Sequence, residues 1–253
     1  MVQIPMGLTI EENTVSILRG LAEAQGLGAE LAVFAECAVT GYHREMGAEI
    51  SRTRIDEVLA RVSTRCAELQ IAAILGCPFY GSSDQQKPWN AAVVLDSRGQ
   101  IVAAFPKVLF TTGEVRHGVF EPGPMGTRRS FTIEGVDCAI LVCMELGGEM
   151  GQVEQEQWRD FLVDLHPAPS VVFAIGVWDL GPGEGTSETA CRAAHELGAY
   201  FVIANAAEWG GKPPEGCLGR SMTIAPTGTI LCEAPWNQPS VTLSELPLVA
   251  GAK

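Results

Sequence analysis

The sequence predicts an α/β fold in which stacked sheets are covered by helices, and three observations carry that expectation. Short continuous apolar runs, such as Leu31-Ala32-Val33-Phe34-Ala35 and Cys138-Ala139-Ile140-Leu141-Val142, have the length and composition of buried strands. Helical periodicities are interleaved with them, and beyond Cys143 helix and strand alternate regularly. Turn signals between paired runs, Ser97-Arg98-Gly99-Gln100 and Thr227-Gly228, add hairpins. Sheets and helices that must each bury a face pack into layers of this kind.

Composition narrows the function. The 253 residues contain no linker, so a single domain spanning residues 1–253 is expected. Hydrophobic residues make up 47% and charged residues 19%, which places the chain among packed globular proteins. A net charge of −13 with 17 Lys and Arg leaves no basic stripe for a phosphate backbone, which argues against nucleic acid as a partner. No apolar run approaches the roughly 20 residues that span a bilayer, so no membrane association is expected. The eight cysteines (37, 66, 77, 138, 143, 191, 217 and 232) form no Cys-x-x-Cys pair and no Cys/His group at zinc spacing. Neither a metal site nor a disulfide framework is expected, and the setting reads as reducing and cytoplasmic.

Taken in order, Val2 to Met6 reads as a short strand, which leaves room for a preceding portion outside this sequence. Glu11 to Gly26 carries Val15, Leu18, Leu21 and Ala22 at helical spacing, closed by Gly26 and Gly28. The strand Leu31–Ala35 follows and halts at Glu36. Ile55 to Leu69 reads as an amphipathic helix, Ile71 to Cys77 as a strand, and Asn90 to Asp96 with Ile101 to Phe105 as a hairpin ending at Lys107. The segment holding Gly113-Glu114 and Phe120-Glu121-Pro122-Gly123 reads as irregular. Ser130 to Ile133 and Val136 to Val142 form a second hairpin. Helices over Glu154–Leu165 and Ser187–Leu197 alternate with strands over Ser170–Val177 and Ala199–Asn205, and a last hairpin joins Ser221–Ile224 to Thr229–Cys232. The proline-rich tail after Glu233 is expected on the surface or against another subunit. Gly181-Pro182-Gly183-Glu184-Gly185 stands where a phosphate loop would, but has neither dinucleotide spacing nor a P-loop Lys, and reads as a plain loop.

Three strand ends offer chemistry. A charged carboxylate directly after a buried strand is costly unless solvent or a partner reaches it, which singles out Glu36. Lys107 closes an apolar strand in a chain with only four lysines, and Cys143 ends the strand Val136–Val142. A carboxylate, an ammonium and a thiol supply a base, an electrophilic stabiliser and a nucleophile. Set in Phe34-Ala35-Glu36-Cys37, Phe105-Pro106-Lys107-Val108 and Val142-Cys143-Met144-Glu145, they resemble the Glu, Lys and Cys motifs of the nitrilase superfamily of carbon-nitrogen hydrolases. Asn90-Ala91-Ala92, Gly113-Glu114, Phe120-Glu121-Pro122-Gly123, Arg192-Ala193, Ala204-Asn205, Gly219-Arg220-Ser221 and Pro226-Thr227-Gly228 are similar to further landmarks in the same order. Departures are Ala35 in place of proline, no histidine shortly after Lys107, and Met144-Glu145 in place of an aromatic-acid pair.

The resemblance implies a four-layer α-β-β-α sandwich, assembly as a homodimer or larger homo-oligomer, and no metal or organic cofactor. It implies a Glu36-Lys107-Cys143 triad that hydrolyses a small-molecule amide through a thioester on Cys143, with Glu114 positioning Lys107 or the substrate. Lys107 is expected to lower the thiol pKa and, with the Met144 backbone N–H, to hold the oxyanion. Met144, Glu145, Trp178 and Tyr42 are the expected pocket residues. Nitrile hydrolysis by the same residues, and a non-catalytic binding protein on the same fold, are the alternatives.

Overall fold

The computed structural model describes residues 1–149, 154–178, 185–209 and 218–248. Two sheets lie at its centre. The first has four strands in the order β1 (Leu31–Val33), β2 (Ala72–Phe79), β3 (Trp89–Leu95), β4 (Ile101–Pro106), with β1 parallel to β2 and the rest antiparallel. The second contains β5 (Ser130–Ile133), β6 (Val136–Val142), β7 (Val171–Ile175), β8 (Tyr200–Ala204), β9 (Met222–Ile224) and β10 (Ile230–Glu233), in the order β10-β9-β8-β7-β6-β5. Strands β6, β7 and β8 run parallel, with Val142, Ile175 and Ala204 at matching levels.

Period-two alternation sorts the strands of the first sheet between two cores. Ala73, Leu75, Val93 and Leu95 face helices α1 (Ile10–Gly26) and α2 (Arg52–Leu69), whereas Ala72, Ile74, Ala92 and Val94 join the core shared with the second sheet. That shared core includes Ile140 and Phe173 and extends to residues of α4 (Trp158–Leu162) and α5 (Thr186–Leu197). The order helix, sheet, sheet, helix is the expected four-layer sandwich.

Several elements differ from expectation. Thr112–His117, read as irregular, is a short helix α3, because Thr111 and Glu114 cap each other's backbone N–H. The expected helix Glu154–Leu165 shrinks to α4, and Glu154–Gln155 pairs instead with Gly148–Glu149. The tail forms a strand, Ser240–Val241, antiparallel to Val2–Gln3, so the two chain ends are stitched together. Residues 181–184 of the glycine-rich loop, and Cys217, lie outside the described residues.

A cavity of about 640 Å³ opens where β1, β6 and β7 begin, lined by Leu31, Val136, Val171 and Leu246. It contains none of the expected site residues, which sit at the opposite strand ends.

Candidate active site

Cys143 follows β6 directly and opens a 3-10 turn, Cys143–Glu145. Its φ is +53°, a left-handed conformation uncommon outside glycine and worth noting for a side chain at a strand end. The turn reverses the chain immediately, with Leu146 N–H donating to Cys143 O at 3.1 Å, so the thiol is presented beyond the sheet edge.

Glu36 lies three residues past β1. The backbone there presses on β2, and only a glycine tolerates the approach. A Cβ on Gly76 would fall 2.6 Å from both Glu36 Cα and Cys37 N, and against Ala35 O. The next residue, Cys37, also has a positive φ of 51°.

Strand β4 delivers Lys107, whose backbone N–H donates to Asn90 O at 2.7 Å. Its ammonium donates to Glu36 Oε1 at 2.7 Å and to Glu114 Oε1 and Oε2 at 2.9 and 2.8 Å. The capping box of α3 holds Glu114 at that distance. Asn90 Nδ2 donates to Glu36 Oε1 at 2.8 Å and to Glu114 Oε1 at 3.1 Å. Glu36, Lys107, Glu114 and Asn90 are all buried. Among the described residues, Glu36 Oε2 is buried without a hydrogen-bond partner.

A second buried ion pair is anchored two residues past Cys143, at Glu145. Glu145 accepts from Val108 N–H at 2.7 Å and from Arg129 Nη2 through Oε1, and from Val142 N–H at 2.9 Å through Oε2. One carboxylate therefore ties the residue after Lys107 to the residue before Cys143.

The electrostatics follow from burial. The Lys107 pKa is raised despite desolvation, by Cys143 once it is a thiolate and by the Glu36 and Glu114 carboxylates. The Cys143 thiol is pushed well above its usual range, first by burial and then by the Glu36 carboxylate, against a smaller lowering by Lys107. The expected lowering by Lys107 is present, and burial and Glu36 outweigh it. Burial pushes the Glu145 carboxyl up, against Arg129 and two backbone N–H groups that favour its anion.

The expected pocket residues are distributed unevenly. Tyr42 is partly buried near the cluster, its hydroxyl 3.5 Å from Thr111 Oγ1, and its pKa is raised by burial and then by Glu36 and Glu114. Trp178 belongs to the same apolar cluster as Cys143, three residues past β7, and its backbone is pinned by Asn205, which accepts from Trp178 N–H and donates to Trp178 O. Met144 is half-buried on that cluster, beside the nucleophile. Glu145 has both oxygens committed to the Arg129, Val108 and Val142 donors described above. Among the described residues, no group of three or more His, Cys, Asp or Glu is arranged to hold a metal ion, and no helix is long and apolar enough to cross a membrane.

Asn90 and Arg129 are the site residues that the chemical reading of the sequence passed over. Asn90 carried a signal, an amide inside the apolar strand Trp89–Leu95. Arg129 carried none, since an arginine beside Arg128 in a polar stretch looks like surface.

Residues 1–150 match the carbon-nitrogen hydrolase family. The chain belongs to that family. The carbon-nitrogen hydrolase fold is seen over almost the whole chain in solved structures of the NitN amidase from Nesterenkonia sp. AN1. One superposes with a TM-score of 0.78 at 22% identity, covering 97% of this chain and 91% of that one. A cysteine-to-alanine mutant of the amidase in complex with butyramide gives 0.77 at 21%, covering 95% and 86%. A glutamate-to-glutamine mutant, showing covalent addition of the acetamide moiety of fluoroacetamide at the active-site cysteine, gives 0.78 at 21%, again covering 95% and 86%. No curated protein matches this carbon-nitrogen hydrolase.

Proposed function

We propose that the chain is an amidase that hydrolyses a small carboxamide, with Cys143 as nucleophile, Glu36 as general base and acid, and Lys107 as the cation of the oxyanion site. The observation that carries the proposal is the asymmetry of Glu36. Lys107 and Asn90 both occupy Oε1, whereas Oε2 is buried with no N–H or O–H donor among the described residues, and the thiol of Cys143, in a left-handed turn, stands within hydrogen-bonding influence of Glu36. The neighbouring amidase structures, with butyramide bound in one and an acetamide moiety on the active-site cysteine in another, support a carboxamide as the substrate class.

With its pKa raised, the Cys143 thiol is neutral at rest, so the proton leaves as the sulfur attacks the carbonyl carbon and passes to Glu36. The oxyanion that forms is held by Lys107 and the Met144 backbone N–H, in a buried setting where such contacts are strong. Glu36 then protonates the departing amine, the C–N bond breaks, and a thioester remains on Cys143. Water, deprotonated by Glu36, hydrolyses the thioester and restores the thiol. Glu114, bound to Lys107 through both oxygens, keeps the ammonium in place during these steps.

The test is ammonia release from a panel of small carboxamides and nitriles, with intact-mass spectrometry of protein quenched during turnover. The expected result is ammonia from carboxamides and an acyl adduct on Cys143 that hydroxylamine removes. Ammonia and adduct from nitriles alone would move the assignment to nitrile hydrolysis, and neither from either class would favour a non-catalytic binding role.

A further inference from the structure

We infer that Asn90 is a positioning residue that makes Glu36 a one-sided base: by engaging Glu36 Oε1 alongside Lys107, it leaves Oε2 as the oxygen available to a proton. The kinetic arm of this inference rests on the amidase reading. Its chemical arm does not.

Asn90 lies in a strand whose neighbours Ala91, Ala92, Val93, Val94 and Leu95 are fully buried. An amide buried there costs free energy unless its polar atoms are paired, and here both are. Oδ1 accepts from Cys37 Sγ at 3.6 Å, while Nδ2 donates at 2.8 and 3.1 Å to two different carboxylates. The orientation is forced, because a flipped amide would set its carbonyl oxygen against both anions.

Two donors converge on Glu36 Oε1. Lys107 has three N–H groups and makes three contacts, one to Glu36 and two to Glu114. Lys107 gives Glu36 Oε1 one contact, and Asn90 Nδ2 gives it the second. With both lone pairs of Oε1 engaged, an incoming proton goes to Oε2, which has no partner. The charged and titratable groups around Glu36 are Lys107, Glu114, Cys143, Cys37 and Tyr42. Asn90 is neutral, so removing it changes hydrogen bonding without changing the charge of the site.

The experiment compares wild type with Asn90→Ala. On a small carboxamide, kcat should fall about ten- to hundredfold with KM within about threefold. The acidic limb of the kcat/KM profile should move to higher pH by about half a unit to one unit, because the carboxylate loses a donor that favours its charged form. The pH dependence of Cys143 alkylation by iodoacetamide, followed by peptide mapping, should show the same displacement without any turnover. A merely structural role would lower the active fraction and leave both limbs in place. Cys37→Ala keeps every carboxylate donor but frees Oδ1, and should give a smaller displacement in the same direction. Unmoved limbs in Asn90→Ala with a native circular dichroism spectrum would overturn the inference. If Asn90→Ala does not fold, unmoved limbs in Cys37→Ala would do so. A wild type that turns over no carboxamide, but whose alkylation limb still moves in Asn90→Ala, would sink the amidase reading and keep the role of Asn90.

Discussion

Two buried ion clusters stand on either side of Cys143, and they are built on opposite plans. In front, Lys107 faces two carboxylates, Glu36 and Glu114, and one oxygen of Glu36 is left without a donor. Behind, Arg129 faces the single carboxylate of Glu145, whose two oxygens take three donors between them. The Glu145 carboxylate, with a donor on each oxygen, holds backbone segments at a fixed spacing, while Arg129 Nε and Nη1 are buried without a partner among the described residues. The Glu36 carboxylate keeps an unmet capacity for a proton next to Cys143. A buried polar group left partly unsatisfied costs stability, and such sites persist where chemistry uses them.

This contrast is tested most severely by the largest effect. Glu36→Gln and Cys143→Ala should each lower carboxamide turnover by at least ~10³-fold, and the double mutant should lose little more than either single one, since the residues act on one transition state. Thermal denaturation should be nearly unchanged, because neither substitution strands a buried charge that was fully paired. Independent, multiplicative losses would break the comparison.

Glu145→Ala should behave in the reverse manner. It abandons the buried Arg129 guanidinium and unpairs the N–H groups of Val108 and Val142, and it should cost about 3–5 kcal/mol by urea denaturation. Adding Arg129→Met should recover part of that loss, the portion due to the stranded charge, while the two backbone donors stay unpaired. Full recovery would mean that the backbone ties carry no weight.

Gly76→Ala should cost about 1–3 kcal/mol, because its Cβ meets backbone, which cannot rotate away as a flexible side chain could. Turnover should fall along with stability, since the displaced segment carries Glu36. Thr111→Ala removes the cap of α3 and should cost about 1 kcal/mol. It would show as a small loss of kcat if Glu114 drifts from Lys107.

The smallest expected signal is an absence. With its pKa pushed up by burial and by Glu36, Cys143 should contribute no ultraviolet thiolate band at neutral pH when wild type is compared with Cys143→Ala. A band at neutral pH would place the thiol on the Lys107 side of the balance, as a reading from charges alone expects.

Much of this molecule is written in local pattern. The hairpin Ser130–Ile133 with Val136–Val142 appears at its expected bounds, and α1, α2 and α5 lie within a few residues of theirs. The turn that opens at Cys143 lies where the apolar run stops. The short helix α3 was hidden because its signal is the capping exchange between Thr111 and Glu114, too brief for a periodicity. The strand Ser240–Val241 was hidden because two residues gain strand character only from a partner, here Val2–Gln3 at the far end of the chain.

The sequence by itself determined the layered α/β class, the family, and the strand ends at which a thiol, an ammonium and a carboxylate stand, because strand periodicity and abrupt polar stops are local properties. Only the tertiary structure decided how the charges are shared. Adjacency cannot reveal that Glu145, two residues from Cys143, accepts from Val108 and Arg129, or that Asn90, 54 positions from Glu36, shares Glu36 Oε1 with Lys107. Nor can it rank burial against a nearby cation in setting the Cys143 thiol. Hydrogen-bond saturation and desolvation depend on which atoms converge in space, and that convergence exists only once both sheets have packed.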